Sequence, residues 1–301
     1  MDARKLLTAT LIILAAGLAV NSFLGPLALD AIRYRWSETI DNQGIGLDAV
    51  ALAIVAPLCL ASAWLVHRQR PAGYALALGP ASFALYMLPQ YVIGPEYLAM
   101  PGNNERFFAL HYGLFIVAGA AFLLAWNGLR AVDLPELTTA QRRGAATFLL
   151  AFPLFLVFAM YLQPFADVLS GEPTGKEYVD NPTPFWVISF LDLAIAAPAA
   201  AVSGWALLRG LPWARKGLYS LVGWFALVPP SVAAMAIVMV AKDDPAASTG
   251  KAVAFVLFGL MFAGFAAWLY RPLFAGPSTS PARPPEPRAA GNVHGGRRAA
   301  G

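Results

Sequence analysis

LAIVAPLCLASAWLVHRQRP, Leu52 to Pro71, returns 141 residues later as LAIAAPAAAVSGWALLRGLP, Leu193 to Pro212. Without a gap, nine of the twenty positions are identical, among them Pro57 with Pro198, Trp64 with Trp205 and Arg68 with Arg209. Each copy is an apolar run closed by a basic residue and a proline. A run of about 20 apolar residues crosses a roughly 30 Å hydrocarbon layer as a helix rising about 1.5 Å per residue. Runs of this kind recur along the chain and decide the fold class: all-α, a polytopic transmembrane helix bundle.

Eight such runs are present: Leu6–Leu29, Leu47–Val66, Ala72–Ile93, Phe107–Leu129, Gly144–Gln163, Pro184–Leu208, Gly217–Val240 and Ala252–Tyr270. The first is too long for the apolar core of a signal peptide and lacks a small-x-small cleavage site, so it reads as a retained helix. The composition agrees. A chain of 301 residues that is 58% hydrophobic and 13% charged, with mean hydropathy +0.60, has more apolar surface than one soluble core buries. The partner implied is the lipid bilayer. The single cysteine, Cys59, excludes an internal disulfide and a cysteine metal cluster, and no metal site or cofactor is expected. No basic stripe with interleaved aromatics points to nucleic acid.

The charges sort by side. With both termini on one side, the segments on that side hold fifteen of the 21 Lys and Arg, and thirteen of the 17 acids fall at or near the other. These are called the basic end and the acidic end below. Positive residues stay in the cytoplasm, so the expected orientation is N-in and C-in, in the plasma membrane. The offset of 141 also maps Pro89 onto Pro230 and Arg130 onto Arg271, and each of the first four runs onto one of the last four. The chain reads as two four-helix repeats, 1–141 and 142–271, followed by a cytoplasmic tail, 272–301. An even number of crossings separates equivalent helices, so the repeats are parallel. The tail is rich in Pro, Gly, Ala and Arg, a composition that predicts disorder.

The second and sixth runs carry most of the alanines, and small side chains let helices approach closely in lipid. They are expected at the bundle centre. Pro57 and Pro198 each remove a backbone donor and crowd the carbonyl four residues before, so kinks are expected there.

Asp192 is the sharpest candidate residue, because an ionisable group well inside a span is costly and marks function by default. Thr183 and Pro184 look like the N-cap and first position of its helix, which puts it about 12 Å inside. Asp48 stands near the start of the equivalent helix, on a similar face. If the two helices meet, the carboxylates share a proton or a cation; alternatively, Asp48 complements a helix dipole. Glu96, Glu105 and His111 gather near the start of the fourth run, without the spacing of a recognised metal motif. Gln90 and Tyr91 read as part of an interfacial aromatic belt. The segment Gly171 to Lys176, GEPTGK, is one residue short of a phosphate-binding loop and lacks the following Ser or Thr.

Gln43-Gly44 leading to Asp48, Pro57-Leu58, the turn His67-Arg68-Gln69-Arg70, the spacing of Tyr86 and Tyr91, and Leu191-Asp192-Leu193 before Pro198 together resemble an uncharacterised family of bacterial multi-pass membrane proteins. The resemblance implies an integral membrane protein and brings no activity, so no catalytic residue is carried over. The expected function is a small transporter-like or channel-like bundle with an outward-facing acidic cavity, taking a small molecule or cation. The alternatives are a non-catalytic accessory subunit and an interfacial lipid-modifying enzyme; the sequence leans away from an enzyme.

The topology is testable by labelling in a Cys59→Ala background. Gln69→Cys and Leu211→Cys should resist a membrane-impermeant maleimide in intact cells, whereas Leu98→Cys and Ala246→Cys should react. The reverse pattern contradicts the charge argument.

Overall fold

A computed structural model describes residues 2–274. Among these the regular structure is helical throughout, with no strand, and eight helices are long and apolar enough to cross a membrane. They are α1 (Ala3–Leu24), α2 (Glu38–His67), α3 (Pro71–Ile93), α4 (Asn104–Gly128), α5 (Thr139–Leu169), α6 (Pro182–Arg209), α7 (Ala214–Ala241) and α8 (Thr249–Phe274). By length and hydropathy this is a multi-pass membrane protein.

Local chemistry sets the ends. α1 stops at Leu24, five residues short of the apolar run, because Gly25 is extended ahead of Pro26 and a residue before proline avoids the helical region. α2 begins well before its apolar run, at Glu38, where Ser37 accepts the Ile40 N–H at 3.4 Å. Thr138 and Gln141 cap α5 reciprocally, at 3.2 and 2.9 Å, so the division drawn after residue 141 falls inside its first turn. α6 starts at Pro182, and Thr183 lies in its first turn rather than capping it. α8 continues to Phe274, through the first three residues assigned to the tail; the rest of that tail, 275–301, lies outside the described residues.

The prolines singled out by the repeat sit just after widened turns. Ala51–Val55 in α2 and Leu191–Ala196 in α6 are π-helical, with the Ala56 N–H bonded to the Ala51 carbonyl and the Ala197 N–H to that of Asp192, five residues back. Pro57 and Pro198 have no N–H to offer and their rings crowd the preceding turn, so a wider turn there relieves the clash. A third π turn, Leu156–Tyr161, interrupts α5 after Pro153. α7 breaks at Ala226 and Leu227, ahead of Pro229 and Pro230, and the Leu227 carbonyl accepts both the Ser231 N–H at 3.1 Å and the Ser231 hydroxyl at 2.9 Å.

The alanine-rich helices are not the central pair. Their small residues admit the helix before them in the chain: α2 packs on α1, and α6 on α5, where Gly204 lies against Ala146 and Leu149. The centre belongs to α3 and α7. A Cβ added to Gly79 would lie 3.0 Å from the carbonyl carbon of Gly223, and one on Gly223 would lie 2.9 Å from the Gly79 Cα. One turn away the hydroxyls of Ser82 and Ser220 are 3.3 Å apart. At the basic end, the Tyr270 hydroxyl of α8 donates to the Tyr219 carbonyl of α7 at 2.6 Å.

The two halves also hold each other at the acidic end. Asp244, between α7 and α8, accepts from Thr39 and Asn42 near the start of α2, at 3.1 and 2.9 Å. Glu96, between α3 and α4, accepts from the N–H and hydroxyl of Thr183 at the start of α6, at 2.6 and 2.7 Å. Glu96 thus occupies an orphan backbone donor at the start of α6, while Asp244 is held by side chains from the first two turns of α2.

Backbone contact at the Gly79–Gly223 crossing leaves no room for a side chain. Gly79→Leu should destabilise the purified protein by about 1–3 kcal/mol or more, whereas Gly264→Ala, which faces open space, should unfold like the wild type. Thermal unfolding in detergent distinguishes them, and equal midpoints would contradict the assignment of the centre.

Candidate functional site

Asp192 stands ten residues into α6, about 15 Å along its axis. It is 8% exposed, and each carboxylate oxygen is held by a phenol from a different helix. The Tyr86 hydroxyl of α3 donates to Oδ1 at 2.8 Å, and the Tyr161 hydroxyl of α5 donates to Oδ2 at 2.6 Å. Asp192 is the second residue of the π turn in α6, and Tyr161 is the last residue of the π turn in α5. The two widened turns pack together at this point. Tyr86 follows Ser82 by one turn, so the α3–α7 crossing sets its height, and its ring meets Trp224 of α7 edge-on at 5.2 Å. A hydrogen bond to a charged group is worth about 1.5–3 kcal/mol, which makes these phenols the main compensation for burying the carboxylate.

Asp48 is fully buried, in a different cluster. Its Oδ1 accepts from the Tyr91 hydroxyl of α3 at 2.5 Å and from Asn21 Nδ2 of α1 at 3.4 Å. Asn21 Oδ1 accepts in turn from the Tyr34 hydroxyl at 3.2 Å and stands 2.9 Å from His111 Nε2 of α4. Rings stack around these groups: Tyr34 with Trp36 at 4.4 Å, Tyr34 with Tyr91 at 4.8 Å, and Tyr91 with His111 at 5.5 Å. Burial, and after it the Asp48 charge, push the Tyr34 phenol well above its ordinary range, so it stays a donor to Asn21. Asp48 Oδ2 and His111 Nδ1 are buried without a hydrogen-bond partner among the described residues.

The two carboxylates therefore share no partner. α2 packs on α1, α3 and α7, and α6 packs on α5, α7 and α3. The link between them is α3, which sends Tyr86 to Asp192 and Tyr91 to Asp48. The distance between those tyrosines along the helix is about 7.5 Å, and they point about 140° apart. Tyr91 is fully buried and so is no part of an interfacial belt.

The other expected site residues are separated by their partners. Glu96 holds the start of α6, Glu105 pairs with Arg35 at 2.7 Å, and His111 belongs to the Asp48 cluster. Among the described residues no three His, Cys, Asp or Glu side chains gather as metal ligands. At the end of α5, the Asp167 carboxylate takes the N–H groups of Thr174 and Gly175 in the following loop at 3.0 and 2.8 Å. The donors that would cradle a phosphate in GEPTGK are thus occupied by the chain's own anion.

Two cavities lie away from both carboxylates. One of about 130 Å³ is lined by Leu137, Leu218 and Phe265, and one of about 400 Å³ by Ile237, Val253 and Leu257; neither touches Asp48 or Asp192. Both carboxylates are buried in this structure rather than facing open space. Comparison with protein-family models, with curated proteins and with solved structures finds no match to this chain.

The sequence shows both aspartates but not their partners Tyr86, Tyr161, Tyr91 and Asn21, nor Tyr34 behind Asn21. An Asp in an apolar helix is visible in the sequence; the face of another helix that meets it is not. Removing the Tyr91 hydroxyl should cost about 1.5–3 kcal/mol of stability, because Asp48 then loses its shortest bond. Tyr112→Phe, at a half-exposed ring, should be neutral. Denaturant unfolding in micelles reads both, and a neutral Tyr91→Phe would contradict the network.

Proposed function

We propose that this chain is a small transporter-like membrane protein in which Asp192 is the group that takes up and releases a proton or cation. The carrying observation is the setting of that carboxylate. It lies deep in a span, no Lys, Arg or His pairs with it among the described residues, and its two oxygens depend on phenols from two other helices. A carboxylate needed only for packing would be replaceable by an apolar residue of similar volume at little cost.

Movement has a local source. A π turn carries one residue more than an α turn, so passing it along a helix rotates the segment beyond it by one residue step, about 100°. Asp192 and Tyr161 both stand in such turns, so a shift in either helix separates them. In this reading the closed carboxylate opens toward the acidic end of the bundle.

The same reading includes two parallel four-helix repeats, with both termini in the cytoplasm. Three features support the repeats. The π turns of α2 and α6 precede equivalent prolines; α3 and α7, equivalent helices, form the central pair; and the loops after α3 and α7 each hold the start of a helix from the other half. The loop charges support the orientation.

The test is proton entry into proteoliposomes with a trapped pH dye, driven by an imposed membrane potential. Wild type and Asp48→Asn should admit protons faster than empty vesicles, and Asp192→Asn should not. Asp192→Asn vesicles that match wild type, with equal protein incorporated, would overturn the proposal.

A further inference from the structure

We infer that the Asp192 site takes a lipophilic organic cation, an ammonium or phosphonium group on an apolar body, which reaches it from the hydrocarbon layer between α5 and α6. The inference rests on the functional reading above and assigns its ligand class. Once Asp192 has given up its proton, the complement of a carboxylate that no Lys, Arg or His pairs with among the described residues is a cation, and the surroundings select the kind. Calcium takes six to eight oxygen ligands and magnesium a near-ideal octahedron, whereas Asp192 is joined by two phenols. What the site has instead is aromatic surface.

Tyr86 meets Trp224, which Phe152 meets edge-on at 6.4 Å; Tyr161 lies 5.5 Å from Phe165. A carboxylate held by two phenols, whose rings meet further aromatic side chains, suits substituted ammonium ions, which bind rings through their quadrupoles and cannot satisfy an oxygen cage.

Access is lateral. Asp192 and Tyr161 are each 8% exposed, and the residues one turn along from them, Ile195 on α6 and Phe158 on α5, are 52% and 65% exposed on the outside of the bundle. Exposed apolar side chains thus stand one turn from the carboxylate and from its phenol. A ligand taking that path must be soluble in hydrocarbon. Asp48 makes the contrast, since it is sealed and already engaged with Tyr91 and Asn21. Charge balances as an exchange: the cation binds the carboxylate as Asp192 gives up a proton, which leaves to the acidic end. Tyr86 from α3 and Tyr161 from α5 are the titratable groups that face it; α7 contributes Trp224.

The test is equilibrium binding of tetraphenylphosphonium to the purified full chain in nanodiscs. Saturable binding is expected in wild type and Asp48→Asn, at least tenfold weaker in Asp192→Asn, recovered in Asp192→Glu and weakened as pH falls. Gel filtration and thermal midpoints confirm that the variants are folded. Binding in Asp192→Asn equal to wild type, no saturable binding in wild type, or displacement by sodium at equal concentration would overturn the ligand class. Running the proton-entry assay on the same preparations separates the two ideas. Proton entry that depends on Asp192 without cation binding sinks only the organic-cation inference, whereas loss of both sinks the functional reading as well.

Discussion

A carboxyl group inside a membrane-spanning helix has to find every hydrogen-bond partner within the protein, since hydrocarbon supplies none. Asp48 and Asp192 impose that constraint, and much of the helix arrangement answers it. α3 is placed so that one tyrosine reaches each aspartate. That placement depends in turn on the glycine crossing with α7, which brings the two backbones into contact and fixes how far α3 stands from α5 and α6. Packing at the centre and polar chemistry away from it are thus one problem.

The two aspartates solve it differently. Asp48 is enclosed by a network from α1, α3 and α4 and by a stack of rings from the loop after α1, so its surroundings are rigid and sealed. Asp192 has only two phenols, one on a helix locked at the central crossing and one at the end of a π turn. Its partners come from an α-helical stretch and a π turn, and exposed apolar side chains, Ile195 and Phe158, stand one turn away. This asymmetry, between two aspartates that each stand near a π turn and a proline, is the reason to look for function at Asp192 and for structural support at Asp48.

The spans were legible because length and hydropathy suffice to find helices that cross a bilayer. Boundaries went wrong where local signals were overruled by run length, as at Gly25-Pro26 after α1. The centre of the bundle was misjudged for a clear physical reason: the alanines of α2 and α6 show that some helix can approach, but not which one. Gly79 and Gly223, on the third and seventh spans, mark the centre, and single glycines in apolar runs are easy to overlook. Asp192 was visible as an anomaly, and Glu96 as an acid in a loop. That Glu96 holds the start of α6, and that Tyr86 and Tyr161 hold Asp192, depends on pairings between distant parts of the chain, which neither periodicity nor composition encodes.

The central claim is that Asp192 exchanges its proton. The most direct measurement is infrared difference spectroscopy of the purified protein across a pH step, following the carboxylic C=O stretch. The account predicts a band that appears on acidification, shifts in deuterium oxide, persists in Asp48→Asn and vanishes in Asp192→Asn; a band that survives Asp192→Asn unchanged would contradict it.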